Sequence, residues 1–339
     1  MSNVRRHRTH LCAPSMPELA IADRVEVLVL VDNVTDFLSS SPAGVEGELS
    51  RFWRRGARLQ AGHLLCCAAH GFSCAVTAWS GEASRTLLFD AGPDGAVLRD
   101  NAARLGFDMG SVDAVFLSHG HWDHAGGMVA ALDLIREGNG GNPVATFMHP
   151  GMYRSRAMKA PDGSMRPFDD VPTPGTLEQH GARVIHSTEP QLILDDLFLV
   201  SGEIPRVTSF EVGMPGQYRR TEDDASWELD ALLMDERFVA VRVKGKGSFV
   251  FTACSHAGVV NVLTHAQTSI PGELHGVMGG LHLAGSTERL IPETVAAMRG
   301  FGLRVIAPAH CTGWRAVGAL ATAFGDAVAP SAVGKTYRL

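Results

Sequence analysis

Apolar runs of strand length recur along this chain, and many of them stop at turns built from His, Asp and Gly. VEVLVLVDN (25–33) and RTLLFDAG (85–92) read as buried strands, the second ending at an Asp-Ala-Gly turn. AVLRDNAARLGF (96–107) has a helical period, VDAVFLSHG (112–120) reads as a strand, and GGMVAALDLIREG (126–138) as a helix with Met128, Leu132 and Ile135 on one face. Short strands are expected at 144–149, 182–187 and 197–203. The second half repeats the style, with strands at 238–243, 248–258 and 304–310, helices at 259–267 and 288–302, and the apolar, Gly-rich segment LHGVMGGLHLAG (274–285). This interleaving predicts a layered α/β domain with its chemistry at the strand ends. Two segments, 150–180 and 205–236, keep neither period and carry Pro, Gly and charge. They are expected to be long loops or insertions of the kind that cover a site.

Composition narrows the class. The 339 residues are 45% hydrophobic and 19% charged, an ordinary globular balance with ample material for a large core. A formal net charge of −6 gives no reason to expect a nucleic-acid partner, which clustered Lys and Arg would serve. Residues 1–22 read as a flexible leader without a secretory h-region, and 23–339 as a single domain. No run approaches the roughly 18 apolar residues of a membrane span, so a cytoplasmic protein is expected. Six cysteines show no zinc-finger spacing and are sparse for a disulfide framework. Buried thiols account for most of them, but Cys254 and Cys311 each lie beside a histidine in a turn.

The densest cluster is Ser-His-Gly-His-Trp-Asp-His-Ala-Gly-Gly at 118–127. In an extended segment residues two apart point the same way, so His119 and His121 can offer imidazoles to one metal ion. Asp123 and His124 stand where the chain turns into a helix and can face a neighbouring position, which makes two metals geometrically natural. Gly126 and Gly127 are expected to let the backbone pass close to the site.

These residues resemble the second motif of the metallo-β-lactamase superfamily, His-x-His-x-Asp-His. The resemblance implies a four-layer αββα sandwich, and it extends along most of the chain. Asp90 in LLFDAG matches an aspartate that supports ligand histidines by accepting an imidazole N–H, and His310 in APAHCTG matches the histidine that closes the second metal site. His124 stands where class B1 β-lactamases carry Arg, which points to the dinuclear hydrolase branch. Two motifs depart from the common pattern. Ser-Gly-Glu-Ile-Pro (201–205) puts Glu203 where a third histidine is usual, with a salt bridge to Arg206 as its other expectation, and Ala-Cys-Ser-His (253–256) replaces the usual Gly-Asp. The set VDN, SHGHWDHAGG, SGEIPR, TACSHAGVVN, MGGLHLAG and APAHCTG resembles a narrower subgroup, the 7,8-dihydropterin-6-methyl-4-(β-D-ribofuranosyl)-aminobenzene-5′-phosphate synthase-like proteins.

Within that pattern the expected ligands are His119, His121, Asp123, His124, His256 and His310. His256 is expected beside His310 or the first histidine pair. Asp90, Glu203 and Cys254 are expected as supporting groups or further ligands, and Asp123 and His282 as catalytic groups. His149 is expected to be structural or at the rim. Histidines 7, 10, 63, 70, 180, 186, 265 and 275 lack such context. Imidazoles plus carboxylate leave Zn²⁺ with residual charge and an open position, which makes hydroxide available at neutral pH. One or two zinc ions are expected, with Fe and Mn compatible with the same donors. The leading expectation is a metal-dependent hydrolase of a small ester, phosphoester or activated aromatic. The resemblance also implies a pterin-linked synthase, and a non-catalytic metal-binding module is a third class. The substrate is a small molecule, and a homodimer is left open.

Overall fold

The computed structural model describes residues 18–339. Two large mixed sheets stack face to face. The first has eight strands, in the spatial order 182–186, 144–148, 114–116, 83–89, 73–80, 24–31, 336–338 and 45–46. The second has seven, running 191–193, 198–200, 239–243, 247–251, 274–280 and 305–309, with Ile21–Ala22 added alongside Val239–Val243.

Alternation along each strand builds the layers, because successive side chains point to opposite faces. In Arg24–Val31, Val27 and Val29 enter the space between the sheets with Val76, Leu87, Phe89 and Phe116, where they meet Phe198, Val241, Phe249, Phe251 and Met278 of the other sheet. Leu28 and Leu30 point outward and are covered by helices Gly95–Leu105 and Met128–Gly138. The outer face of the second sheet is covered by Val259–Ser269, Ile291–Met298 and Trp314–Phe324. Helices, sheet, sheet, helices is the four-layer αββα order.

Three sequence expectations change. Part of the leader, residues 1–17, lies outside the described residues, but residues 19–22 are not free. Leu19 is buried, Ala20 N donates to Asp196 O at 2.9 Å, and Ile21–Ala22 pair with the second sheet. The segments 150–180 and 205–236 are not simple loops. Strands Arg156–Lys159 and Met165–Pro167 from one pair with Gln217–Arg220 and Trp227–Leu229 from the other in a separate four-stranded sheet. Strands of three or four residues are too short to display a period, so the pattern hid them. The strands expected over 112–120 and 248–258 end sooner, at Phe116 and Phe251, because the following residues leave the sheets to form the His-rich turns.

Candidate metal centre

Those turns come together at one end of the stacked sheets. The segment after Phe116 bends at His119-Gly120-His121 and enters a single-turn helix, Trp122–Ala125. Gly120 is required by contact, since a Cβ there would stand 2.3 Å from the Arg156 guanidinium and 2.6 Å from Met152 O. Gly127 is needed likewise, because its backbone presses on Ala91 O. Gly126, where a Cβ would stand 2.0 Å from Pro93 O, and Gly127 thus admit the chain that follows Asp90.

Hydrogen bonds around the cluster decide which nitrogen of each ring is free. Ser118 donates its hydroxyl to Asp90 Oδ2 at 2.8 Å, leaving Oγ to accept from His119 Nδ1 at 2.9 Å. His119 therefore presents a lone pair at Nε2. Gln217 Nε2 donates to Asp230 Oδ2 at 3.2 Å, so its Oε1, 2.7 Å from His121 Nε2, accepts from that ring. His121 therefore presents a lone pair at Nδ1. The two lone pairs face each other across 3.1 Å. His256 packs against both rings, with centroids 4.9 and 4.8 Å away, and neither of its buried nitrogens has a partner. A cation among the three would satisfy all of them, and their donor atoms lie within 4.8 Å of one another.

A second group adjoins it. His124 Nδ1 donates to Asp90 Oδ2 at 2.7 Å, directing Nε2 toward Cys254 Sγ at 3.2 Å and Asp123 Oδ1 at 3.9 Å. His310 Nε2 stands 3.2 Å from Asp123 Oδ2 without hydrogen-bond alignment. Cys254 belongs to three groups of mutually close donors, with His119 and His124, with His310 and Cys311, and with His256 and His282. It occupies the middle of the centre.

Electrostatics differ between the two groups. Burial drives His119 and His256 well below the usual histidine range, and burial with the nearby Arg156 charge lowers His121 to about 4. These rings are neutral, the form that ligates. Burial also opposes charge on His124, but Asp123 and Asp90 outweigh it and raise the ring to about 9. Burial alone would raise Asp123, yet His124 and His310 hold its carboxyl well below the usual range. Burial raises Cys254, whereas contacts with Cys254, His310 and His282 outweigh burial and lower Cys311.

The structure therefore brings together His119, His121, Asp123, His124, His256 and His310, with Asp90 beneath and Cys254 between. His256 lies with the first histidine pair. His282 reaches the same wall, its ring 4.5 Å from His256 and its Nδ1 buried without a partner. Glu203 lies apart. Its Oε1 pairs with His149 Nε2 at 3.2 Å, and Arg206, its expected partner, is turned to the carbonyls of Ile204, Leu232 and Leu233.

Several residues that the motifs did not name also serve the centre. Glu236, raised to about 6 by burial, accepts from the backbone N–H of His256 at 2.7 Å and of Ala257 at 2.6 Å. Arg156 ties the small sheet to the motif by bonds to Asp230 at 2.9 Å, Asp235 at 2.6 Å and Gly120 O at 2.9 Å. Asn33 bonds His310 and His70, and His70, read from the sequence as lacking context, has Nε2 3.6 Å from Asp123 Oδ2. VDN was the only signal for Asn33, and nothing local marked Gln217.

Comparison with known proteins agrees with this geometry. The metallo-beta-lactamase superfamily model matches residues 76–194. The 7,8-dihydropterin-6-methyl-4-(beta-D-ribofuranosyl)-aminobenzene-5′-phosphate synthase of Methanocaldococcus jannaschii is 26% identical over 73% of this chain and 82% of its own length. An uncharacterized protein of the same organism is 28% identical over 74% of this chain and 86% of its own. A crystal structure described as a metal-dependent hydrolase of the beta-lactamase superfamily superposes with a TM-score of 0.67 at 22% identity, covering 93% of this chain and 98% of that one. The αββα layers and the histidine cluster at their edge define a metallo-β-lactamase fold. The chain resembles the metallo-β-lactamase superfamily, by the family model over residues 76–194 and by its fold. Among the described residues no helix is long and apolar enough to cross a membrane.

Proposed function

We propose that the protein is a metal-dependent hydrolase of a small molecule, and that zinc is its metal. The observation that carries this reading is the convergence of imidazole lone pairs, which the surrounding hydrogen bonds aim at one another rather than at protein donors. His119, His121 and His256 would hold one cation, and Asp123, His124 and His310 a second, with Cys254 within reach of both. A divalent cation bound there supplies Lewis acidity and lowers the pKa of coordinated water.

The chain's own groups do the rest. Asp123, kept ionised by His124 and His310, accepts a hydrogen bond from the attacking water and orients it. Asp90 holds His124 by Nδ1 and His119 through Ser118, fixing both tautomers at once. His282 stands beside His256 as a group that can pass a proton to the leaving oxygen. A cavity of about 450 Å³ beside His310, bordered by Asn33, Asp36, Trp314 and Lys335, offers room for a small substrate.

The test is metal analysis of the purified protein, followed by assay of the zinc-loaded form on phosphodiesters, lactones, thioesters and halogenated aromatics. Hydrolysis of one class that disappears in His121→Ala is expected. A protein that takes up no first-row metal, or that is inert toward all four classes, would sink the reading. The likeness to the M. jannaschii synthase supports a second reading, in which the centre joins a ribofuranosyl-aminobenzene phosphate to a dihydropterin. Supplying that pair to the zinc-loaded protein distinguishes the two by whether a joined product appears.

A further inference from the structure

Asn33 touches two histidines and treats them oppositely. Its Oδ1 accepts from Gly71 N at 3.0 Å and its Nδ2 donates to His310 O at 3.2 Å. Those backbone partners fix which way the amide points, because an N–H only donates and a carbonyl oxygen only accepts. Oδ1 also lies 2.9 Å from His310 Nδ1, and Nδ2 lies 3.1 Å from His70 Nδ1. His310 must then carry its hydrogen on Nδ1, which leaves a lone pair at Nε2. His70 must accept at Nδ1, so the neutral ring carries its hydrogen on Nε2.

This settles what His70 can be. Nitrogen and oxygen atoms of His70, Asp123 and His310 lie close enough to share a cation, but a ring nitrogen that carries hydrogen cannot ligate. To free Nε2, His70 would have to move its hydrogen to Nδ1, against the N–H of Asn33. Asn33 cannot turn over without breaking its bonds to Gly71 and His310. The N–H at Nε2 is also uncommitted. It lies 3.6 Å from Asp123 Oδ2, and the side chain is 60% exposed while its neighbours His310 and Asp123 are buried. The loop that presents it is pressed onto the motif, since a Cβ at Gly71 would stand 2.2 Å from Asp123 O and 2.5 Å from Pro93 Cδ.

We propose that His70 is the centre's substrate-facing hydrogen-bond donor, giving its Nε2–H to a substrate oxygen bound beside Asp123, and that Asn33 is the positioning residue that fixes this tautomer. The identity of that oxygen, carbonyl or phosphoryl, rests on the metallo-hydrolase reading; the tautomer does not.

The first measurement is a two-bond proton–nitrogen correlation spectrum of the full chain labelled with ¹⁵N-histidine, zinc-loaded and zinc-free. His70, identified by its absence in His70→Gln, is expected to carry its hydrogen on Nε2, and His310 on Nδ1. In Asn33→Asp the amide donor is gone, and His70 is expected to gain a proton at Nδ1. The second measurement uses inorganic phosphate as the oxygen-bearing probe. His70→Ala should bind it about 10-fold more weakly, the cost of one hydrogen bond to a charged group, while His70→Gln loses less and both keep the wild-type zinc content. An Nδ1–H tautomer for His70 in the wild type, loss of a zinc equivalent in His70→Ala, or unchanged phosphate affinity would each overturn the proposal. Absence of zinc uptake by the wild type would instead overturn the metallo-hydrolase reading, and the zinc-free spectrum would still report the tautomer.

Discussion

His121 and His310 aim at the centre from opposite sides, and each ring is oriented by a single side-chain amide. Gln217 holds His121 and Asn33 holds His310. Gln217 belongs to the small four-stranded sheet and is itself braced by Asp230, which Arg156 clamps together with Asp235 and Gly120. All of those side chains are buried. Asn33 follows the first strand of the eight-stranded sheet and also touches exposed His70. One half of the centre is therefore sealed by an inserted sheet, and the other opens to solvent beside the large cavity. Under the proposed function the difference is a division of labour, with fixed affinity on the His119–His121–His256 side and substrate access on the Asp123–His310 side.

The largest expected effect breaks the sealed half. His121→Ala removes one ring from a three-imidazole group, so at least one metal equivalent should be lost and activity should fall by more than about 100-fold, beyond the cost of losing a supporting partner. Metal analysis decides whether the halves are independent, and release of both equivalents would break the comparison. Asp90→Asn comes next. Asp90 serves both sides, through Ser118 to His119 and directly to His124, and the variant should stay folded while metal affinity drops about 10- to 100-fold. An inactive variant with full metal content would give Asp90 a direct part in the chemistry.

Gln217→Leu sharpens the contrast. Removing the acceptor frees the His121 tautomer, so one equivalent should bind about 10-fold more weakly while the other is unchanged. Gln217→Glu, which keeps an acceptor, should restore most of the difference in a zinc titration.

The smallest effect is a pH dependence of the chelator-treated protein. His121 falls to about 4 in the folded chain, so the unfolded chain takes up that proton first, and stability is lost as pH drops from about 6.5 toward 4. His124 is raised to about 9, so its contribution is whole below about 6.5 and is lost as pH rises through 9. Melting temperatures should decline on both sides of about 6.5, and His121→Asn should flatten the acid limb. An unchanged acid limb in that variant would remove His121 from the account.

Legibility followed locality. The layered α/β order could be read because its strands and helices are long enough to show a period, and the histidine-rich cluster because four of its members fall within six residues. Asp90 and His310 could be placed because each ends an apolar strand. The four-stranded sheet could not, since its pairing joins residues near 157 to residues near 218 through strands too short for alternation to register. Gln217 and Asn33 are neutral amides, whose role comes entirely from what folding puts beside them. Glu203 misled for the converse reason. It occupies the sequence position of a ligand, but its side chain turns to His149 and is partly exposed.

The pairing of Thr336–Arg338 with Arg24–Val31 has a consequence for biosynthesis. That strand joins the sheet between the first long strand and Val45–Glu46, so the early strands wait for residues made hundreds of positions later. Contacts of such long sequence separation form slowly. On the ribosome, the Asp32–Asn33 end of Arg24–Val31 cannot meet His310 until the strand Val305–Ala309 has emerged and docked. The nascent chain can form its His119–His124 turn long before it can complete the centre, so metal loading is expected to be a late event in folding, after the strand Val305–Ala309 has docked.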